Sequence, residues 1–511
     1  MIHAKSVKSR MLTSVVFNVL RAIITFTTGI IIARGLSPAG YGDLMFLLGS
    51  FISIRTLLDM GSSNAFRTFI SKANRGIRFY IYYIVWLTLQ FFVMLLFAML
   101  ICPNELFERI WLGNSLNMVV LALLAVFMQQ QVWQMVGQVG EASRQTGRVQ
   151  LLNISVAIFY LLMIVCLWSW DVLSVEHVLM GLLGQYIVAV FFAYHYLKAE
   201  HIIHDEDVSL PLVLNEYWGY CRPLIVLSVV AFAYEFTDKW LLQKYGGAVQ
   251  QGYFQIAFQF AAVALLATTS VLNVFWKEVA ESWEKKNFSQ AENLYRKMSR
   301  GLLMISAVIA GFLLPWAEQI VLILLGDAYE GAWMVLAIMF LYPIYQSLGQ
   351  VGGAMLLAAG YTKRFMYVSV FSMLCSIPVT FYVLAPGNHE WINSLSLGAT
   401  GLALKIVLLS LVTVNLQAWV VARCTGWLFD WKYQVVGITL MLGLGSASKI
   451  IVGLFMDVNA LSVVALIVPL VLVGLLYLLF VGGVLWFLPW LVGMDRMEIR
   501  QLFGSIGVVK K

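Results

Sequence analysis

IIARGLSPAGYGDLMFLLGSF (31–51) and LLQKYGGAVQQGYFQIAFQFA (241–261) follow one plan. Each passes from an apolar run through a basic residue and a glycine to a Gly-Tyr pair (Gly40-Tyr41, Gly252-Tyr253), then enters a second apolar run. Two such joints mark an internal repeat in which the first and seventh apolar spans are equivalent. Working outward with the roughly 20 apolar residues that a helix needs to cross about 30 Å of hydrocarbon, the chain divides into 14 spans. They lie at about 11–33, 44–66, 79–101, 116–138, 150–170, 175–197, 223–244, 253–275, 301–323, 332–357, 365–385, 399–421, 433–455 and 460–487. Six spans per half is an even number, so both halves run the same way across the membrane, and repeats of that kind place binding sites between them. The reading is an all-α polytopic membrane protein. It has a six-helix lobe at 1–197, a cytoplasmic linker at 198–222, a second six-helix lobe at 223–421, two extra helices at 433–487 and a cytoplasmic tail at 488–511.

Composition forces the same class. Of 511 residues, 61% are hydrophobic and 12% charged, against about 25% charged in soluble proteins, and the mean hydropathy is +0.85. A soluble chain of this size cannot hide that much apolar surface. The five cysteines are scattered, without C-x-x-C spacing, so neither a disulfide framework nor a zinc site is readable. No G-x-x-x-x-G-K-[ST] loop occurs, so ATP hydrolysis by this chain is not expected. No cofactor is implied.

Orientation follows from Lys and Arg, which accumulate on the cytoplasmic side. With the N-terminus inside, 25 of the 33 basic residues fall in inner loops and only Arg34, Arg109 and Lys244 in outer ones. Both termini are therefore expected in the cytoplasm, and the first span, which lacks a small-residue cleavage site, is read as retained. The net charge of +7 expresses that bias and attraction to anionic membrane lipid; no basic–aromatic surface calls for nucleic acid. His201, His204, Asp205, Glu206 and Asp207 read as a solvated linker rather than a metal site. Segment 277–300 reads as one amphipathic surface helix.

An ionisable residue inside a span is costly and by default pairs, faces a cavity or serves function. Arg21 lies mid-span; Arg55 and Asp59 share one face of the second span at i,i+4; Glu235, Asp238 and Lys239 lie on the seventh; Lys405 and Lys449 occupy the twelfth and thirteenth. One reading makes Arg55–Asp59 and Glu235–Lys239 self-satisfied pairs, with Lys449 snorkelling outward. The other places Arg21, Arg55 and Lys239 around a watery cavity that holds an anionic headgroup. Asp59, Glu235 and Asp238 would then be tuning or ion-coupling acids, and Arg34 and Lys405 weaker cationic candidates.

ARGLSPAGYGDLMFLLG (33–49), LLDMGSSNAFRTFIS (57–71) and YEFTDKWLLQKYGG with QGYFQIA (234–257) resemble the polysaccharide and O-antigen flippases of the multidrug/oligosaccharidyl-lipid/polysaccharide (MOP) exporter superfamily. Arg34, Gly40, Tyr41, Asp59, Gly61 and Asp238 match that family's recurrent motifs. The resemblance implies a V-shaped pair of six-helix lobes plus two helices in a bacterial inner membrane. Its implied activity is alternating-access flipping of an undecaprenyl-pyrophosphate-linked oligosaccharide from inner to outer leaflet, for surface polysaccharide or lipopolysaccharide synthesis. Expected partners are that polyprenyl-linked substrate, membrane lipid, and a polysaccharide polymerase with chain-length proteins. The competing readings are a proton- or sodium-coupled organic-cation antiporter of the same superfamily, a peptidoglycan-precursor flippase, and a membrane polymerase or ligase. Five basic residues against three acids inside the spans favour an anionic cargo over a cationic one, and short outer loops disfavour the polymerase.

Overall fold

The computed structural model describes residues 7–96, 98, 104–197, 202–203, 209–388, 393–456 and 466–498. The histidine and acidic residues of the linker, 201 and 204–207, and the tail beyond 498 lie outside the described residues. Among the described residues the fold is helical, apart from a two-residue parallel pairing of Arg75–Gly76 with Ile202–Ile203. Among the described residues, 11 helices are long and apolar enough to cross a membrane. One of these, Val16–Asp59, is broken into two arms, and the longest helix, Leu210–Glu284, is broken likewise, so the helix count leaves room for the fourteen spans of the sequence reading.

Both breaks are instructive. Helix Val7–Asp59 has 53 residues and would extend about 80 Å if straight; it breaks at Ser37 (φ 63, ψ 168), with Pro38 following. Helix Leu210–Glu284 has 75 residues and breaks at Gly247 (φ 76, ψ 176). The two joints adopt the same backbone conformation, and they meet reciprocally. A Cβ on Gly42 would stand 1.8 Å from the Ala248 carbonyl oxygen, and one on Gly252 would stand 2.1 Å from the Pro38 carbonyl oxygen. Ser37 therefore corresponds to Gly247, Pro38 to Ala248 and Gly42 to Gly252. This register differs by two residues from the Gly-Tyr match read in the sequence. The reason is steric: a Cβ on Gly40 would meet only side chains, the Leu36 Cβ at 3.4 Å and the Val175 Cγ2 at 3.8 Å, so Gly42, not Gly40, permits the backbone contact.

The chain forms two compact units. The first comprises Met1–Gln255 with Met373–Ala399, the second Ile256–Ser372 with Thr400–Lys511. These units partition the chain by packing, whereas the expected lobes partition it by repeat; the 210–255 arm and 373–399 pack with the first six spans. In the second unit, Gly445 and Gly311 again bring two helices together at backbone distance, a Cβ on Gly445 falling 1.8 Å from the Gly311 carbonyl oxygen. Around that crossing lie Leu303, Met304, Ala307, Met441 and Tyr477, all buried. Large apolar side chains such as Phe191, Phe371, Val412 and Leu479 are at least 60% exposed, as a lipid-facing surface requires.

Segment 277–300 is not one helix. The chain turns at Lys285–Asn287, where Lys286 has φ 56 and the Asn287 side chain accepts from the Gln290 amide to start helix Phe288–Leu313. Asparagine at an N-cap outcompetes helix continuation. The last part of the linker, from Leu210, is already helical and runs through Pro223 into the seventh span.

Candidate functional site

Lys239 projects from the seventh span onto the second at Gly49. A Cβ on Gly49 would lie 2.9 Å from the Lys239 Cδ, so glycine at that position makes the trough in which the lysine stem rests. The ammonium donates to the Gly49 carbonyl at 3.2 Å and to the Ser53 hydroxyl at 2.9 Å. Glu235 stands at 4.0 Å, the outer limit of an ion pair, and accepts from Ser53 at 3.5 Å. One turn away, the buried Asp238 carboxylate accepts from the Thr380 hydroxyl at 2.7 Å. Ser376 is on the same helix face, its hydroxyl buried and without a protein partner among the described residues.

Arg55 and Asp59 do not form the direct pair that i,i+4 spacing allows. Asp59 Oδ1 accepts from the Ser62 hydroxyl at 2.9 Å, the Ser63 amide at 3.0 Å and the Ser63 hydroxyl at 2.5 Å. It thus caps helix Ser62–Lys72 across the left-handed Met60–Gly61 turn. Gly61 is required there by its φ of 84 and by Leu224, whose Cδ1 would lie 2.5 Å from a Cβ. Arg55 donates instead to the Gln134 amide oxygen at 2.7 Å and to the Ser63 hydroxyl at 3.3 Å. Both guanidinium partners are neutral.

Gln134 belongs to a segment that the sequence reading passed over. Residues Met128–Val132, MQQQV, form a π-turn in the middle of the fourth span, a rare feature frequent at functional sites. Gln129 donates to the Tyr186 hydroxyl at 3.2 Å, Gln131 to Gln90 at 2.7 Å, and Trp133 to Asn153 at 3.0 Å. With Gln134 on Arg55, four of the six residues 129–134 bond to the second, third, fifth and sixth spans. Three adjacent amides inside an apolar span were the available signal. Hydrocarbon leaves an amide no alternative to a protein partner, which is why the π-turn fans them outward.

The other candidates are dispersed. Arg21 is exposed, within electrostatic reach of the Tyr186 hydroxyl, and makes no ion pair among the described residues. Arg34 is exposed beside the Ser37 joint. Lys405 belongs to the second unit, where it is 3% exposed. Lys449 does not snorkel freely: its ammonium donates to the Pro315 carbonyl at 2.6 Å and to Gln319 at 3.0 Å, over the Trp316 ring. The Leu314–Trp316 helical turn exposes a carbonyl for it. No cluster of three or more His, Cys, Asp or Glu suited to a metal occurs among the described residues.

A model of the polysaccharide biosynthesis protein family matches residues 8–275, more than half of the chain. The chain belongs to this family. The MatE family model matches residues 223–382, which overlap that region. No curated protein matches the sequence. Among solved structures, the lipid II flippase MurJ in an inward closed conformation superposes with a TM-score of 0.64 at 12% identity, over 92% of this chain and 98% of its own. An inward-facing multidrug resistance MATE family transporter of the MOP superfamily gives 0.61 at 14%, over 80% and 94%. A MOP superfamily transporter from Pyrococcus furiosus, described as having a binding pocket of reverse polarity, gives 0.55 at 13%, over 81% and 94%. The chain thus shares its fold with these flippase and transporter structures, and its long apolar helices make it an integral membrane protein.

Proposed function

We propose that this family member is a flippase for a lipid-linked oligosaccharide, moving an undecaprenyl-pyrophosphate-linked glycan from the inner to the outer leaflet of a bacterial inner membrane by alternating access. Two lobes, 1–197 and 223–421, move about a cationic cavity, the two helices at 433–487 stand beside them, and both termini are cytoplasmic. The observation that carries the reading is the neutral company of the intramembrane cations. Arg55 rests on an amide and a hydroxyl, Lys239 on a carbonyl and a hydroxyl with Glu235 only at 4.0 Å. A cation held by neutral dipoles keeps its positive potential, which an anionic ligand can use; one held by a carboxylate does not.

In this mechanism Arg21, Arg55 and Lys239 receive the pyrophosphate, and Arg34 and Lys405 are secondary contacts. Asp59, Glu235 and Asp238 tune the site, and Asp238 with Thr380 is the preferred coupling position because its carboxylate is buried among hydroxyls. The polar passage replaces the water that sugars and pyrophosphate would lose in about 30 Å of hydrocarbon. A headgroup with about two negative charges gains roughly 4–5 kcal/mol crossing to an outside-positive face at about 100 mV, enough to bias the direction without ATP.

The MatE match over 223–382 favours one second reading, organic-cation antiport. Deleting the gene separates the two. Unpolymerised oligosaccharide accumulating on the lipid carrier at the inner leaflet supports the flippase, whereas normal surface glycan with altered dye resistance supports the antiporter. Arg21→Ala, Arg55→Ala and Lys239→Ala are then tested for complementation at matched protein level; if all three restore export fully, the cationic-site assignment fails.

A further inference from the structure

Within the first unit a cavity of about 250 Å³ opens where the Asp59–Ser62 turn, helix Ile77–Leu96 and the start of helix Leu210–Glu284 meet. Its walls include five aromatic rings, Tyr82, Tyr83, Trp86, Tyr217 and Trp218, and one carboxylate, Asp59. Several of the rings are fixed in place. Tyr83 stacks on Phe66 at 4.0 Å between ring centroids, and Tyr217 meets Phe69 edge-on at 5.3 Å. The Trp86 indole donates to the Ser62 hydroxyl at 3.0 Å, and the Tyr83 hydroxyl donates to Ser63 at 3.3 Å.

Two polar atoms of this lining are left over. The Tyr217 hydroxyl is buried with no partner among the described residues. All of the hydrogen bonds to Asp59 from described residues go to Oδ1, leaving Oδ2 for something else. Arg55 reaches this carboxylate only through Ser63. Asp59 ends one helix and Ser62 begins the next, so the cavity is close to a helix break.

Ring faces carry negative potential and attract a cation, most strongly when water is excluded. A hydrocarbon tail gains nothing from Asp59, and an anionic head is repelled by it. A volume below the usual range for drug-sized ligands admits a head and a few methylenes. We infer that this aromatic cavity binds an alkylammonium group, whether of a free amphiphilic cation or of an aminophospholipid. The inference is independent of the flippase reading, since it concerns a different face of Asp59 and its test reads binding, not export.

The test uses the full-length protein in detergent, titrated separately with hexyltrimethylammonium, 1-hexanol and hexyl sulfate. Thermal unfolding midpoints report binding. Alkylation of Cys221, which lines the cavity, reports location once the other four cysteines are replaced by serine. The ammonium compound is expected to raise the midpoint and slow Cys221 alkylation, with an apparent affinity about thirtyfold above that of hexanol, the size of a desolvated cation–π contact. Asp59→Asn should remove most of that preference. Trp218→Ala, which deletes an exposed ring rather than a cap, should weaken it should the Asp59 variant fail to fold. Equal effects of all three compounds, or none from the ammonium compound, overturn the proposal. In nanodiscs, protection of Cys221 by phosphatidylethanolamine over phosphatidylglycerol identifies the lipid as source; protection only by added hexyltrimethylammonium identifies the free cation.

Discussion

Replacing Gly42 with alanine puts a methyl group where the Ala248 carbonyl already stands. The added Cβ would be 1.8 Å from that oxygen and 2.9 Å from the Gly252 nitrogen. Cβ atoms essentially never come within 3.0 Å of another atom, so the two arms must part by at least about 1.2 Å. Neither atom can swing away, because both belong to helical backbone. Parting the arms strips contact from the whole crossing, and overpacking of this kind costs about 1–3 kcal/mol or more. Gly252→Ala should cost a similar amount, since its Cβ would be 2.1 Å from the Pro38 oxygen. The double variant should cost less than the sum, because once the arms have separated the second methyl finds room. Gly40→Ala is the control. Its Cβ would make an ordinary 3.4 Å contact, and alanine gains up to about 1 kcal/mol of helix propensity over glycine. Thermal unfolding of the purified protein in detergent, followed by monodispersity on size exclusion, reads all four. Unfolding midpoints for Gly42→Ala and Gly252→Ala that match wild type, or a Gly40→Ala loss as large as theirs, would falsify the repeat register and the contact built on it.

Ser37 occupies a backbone region suited to glycine (φ 63, ψ 168), so Ser37→Gly should stabilise and Gly247→Ser destabilise, each by about 1–3 kcal/mol, in the same unfolding assay. Gln134→Leu removes a charge-assisted hydrogen bond from Arg55, of the kind worth about 1.5–3 kcal/mol; export should fall severalfold while Gln130→Ala, whose side chain makes no such bond, leaves it near wild type in a complementation assay. Near the C-terminal end, Lys297 and the Asp495 amide hold the Glu498 carboxyl below its usual range. A depressed carboxyl lends its stability above the unfolded value of about 4.3 and loses it as pH falls through the lower folded value. Hydrogen exchange in 489–498 should therefore stay slow down to that pH and accelerate beneath it, and Lys297→Met should move the onset upward.

Much of the molecule is legible one span at a time. Whether a segment enters the membrane depends on some twenty consecutive side chains, so hydropathy alone picks out the helices, and the repeated joint marks the first and seventh as equivalents. Partner choice is not local in that sense. Spacing offered Arg55 to Asp59, but a serine four residues beyond the acid, across a left-handed turn, claims the carboxylate as a cap, and a glutamine 79 positions further on claims the arginine. The seven letters MQQQVWQ carried a warning in their polarity, yet nothing in them says which amide meets which helix.

By itself, then, the amino-acid order determines a helical membrane protein with a duplicated joint and a handful of charges left in oil, because those are sums over neighbours in the chain. Only the packed structure decides that Gly42 rather than Gly40 is the contact glycine, that Lys239 lies in a trough at Gly49, and that the cations rest on neutral dipoles. These are meetings between segments about 80 to just over 200 residues apart, and in hydrocarbon each polar group takes whatever partner the helix packing delivers to it.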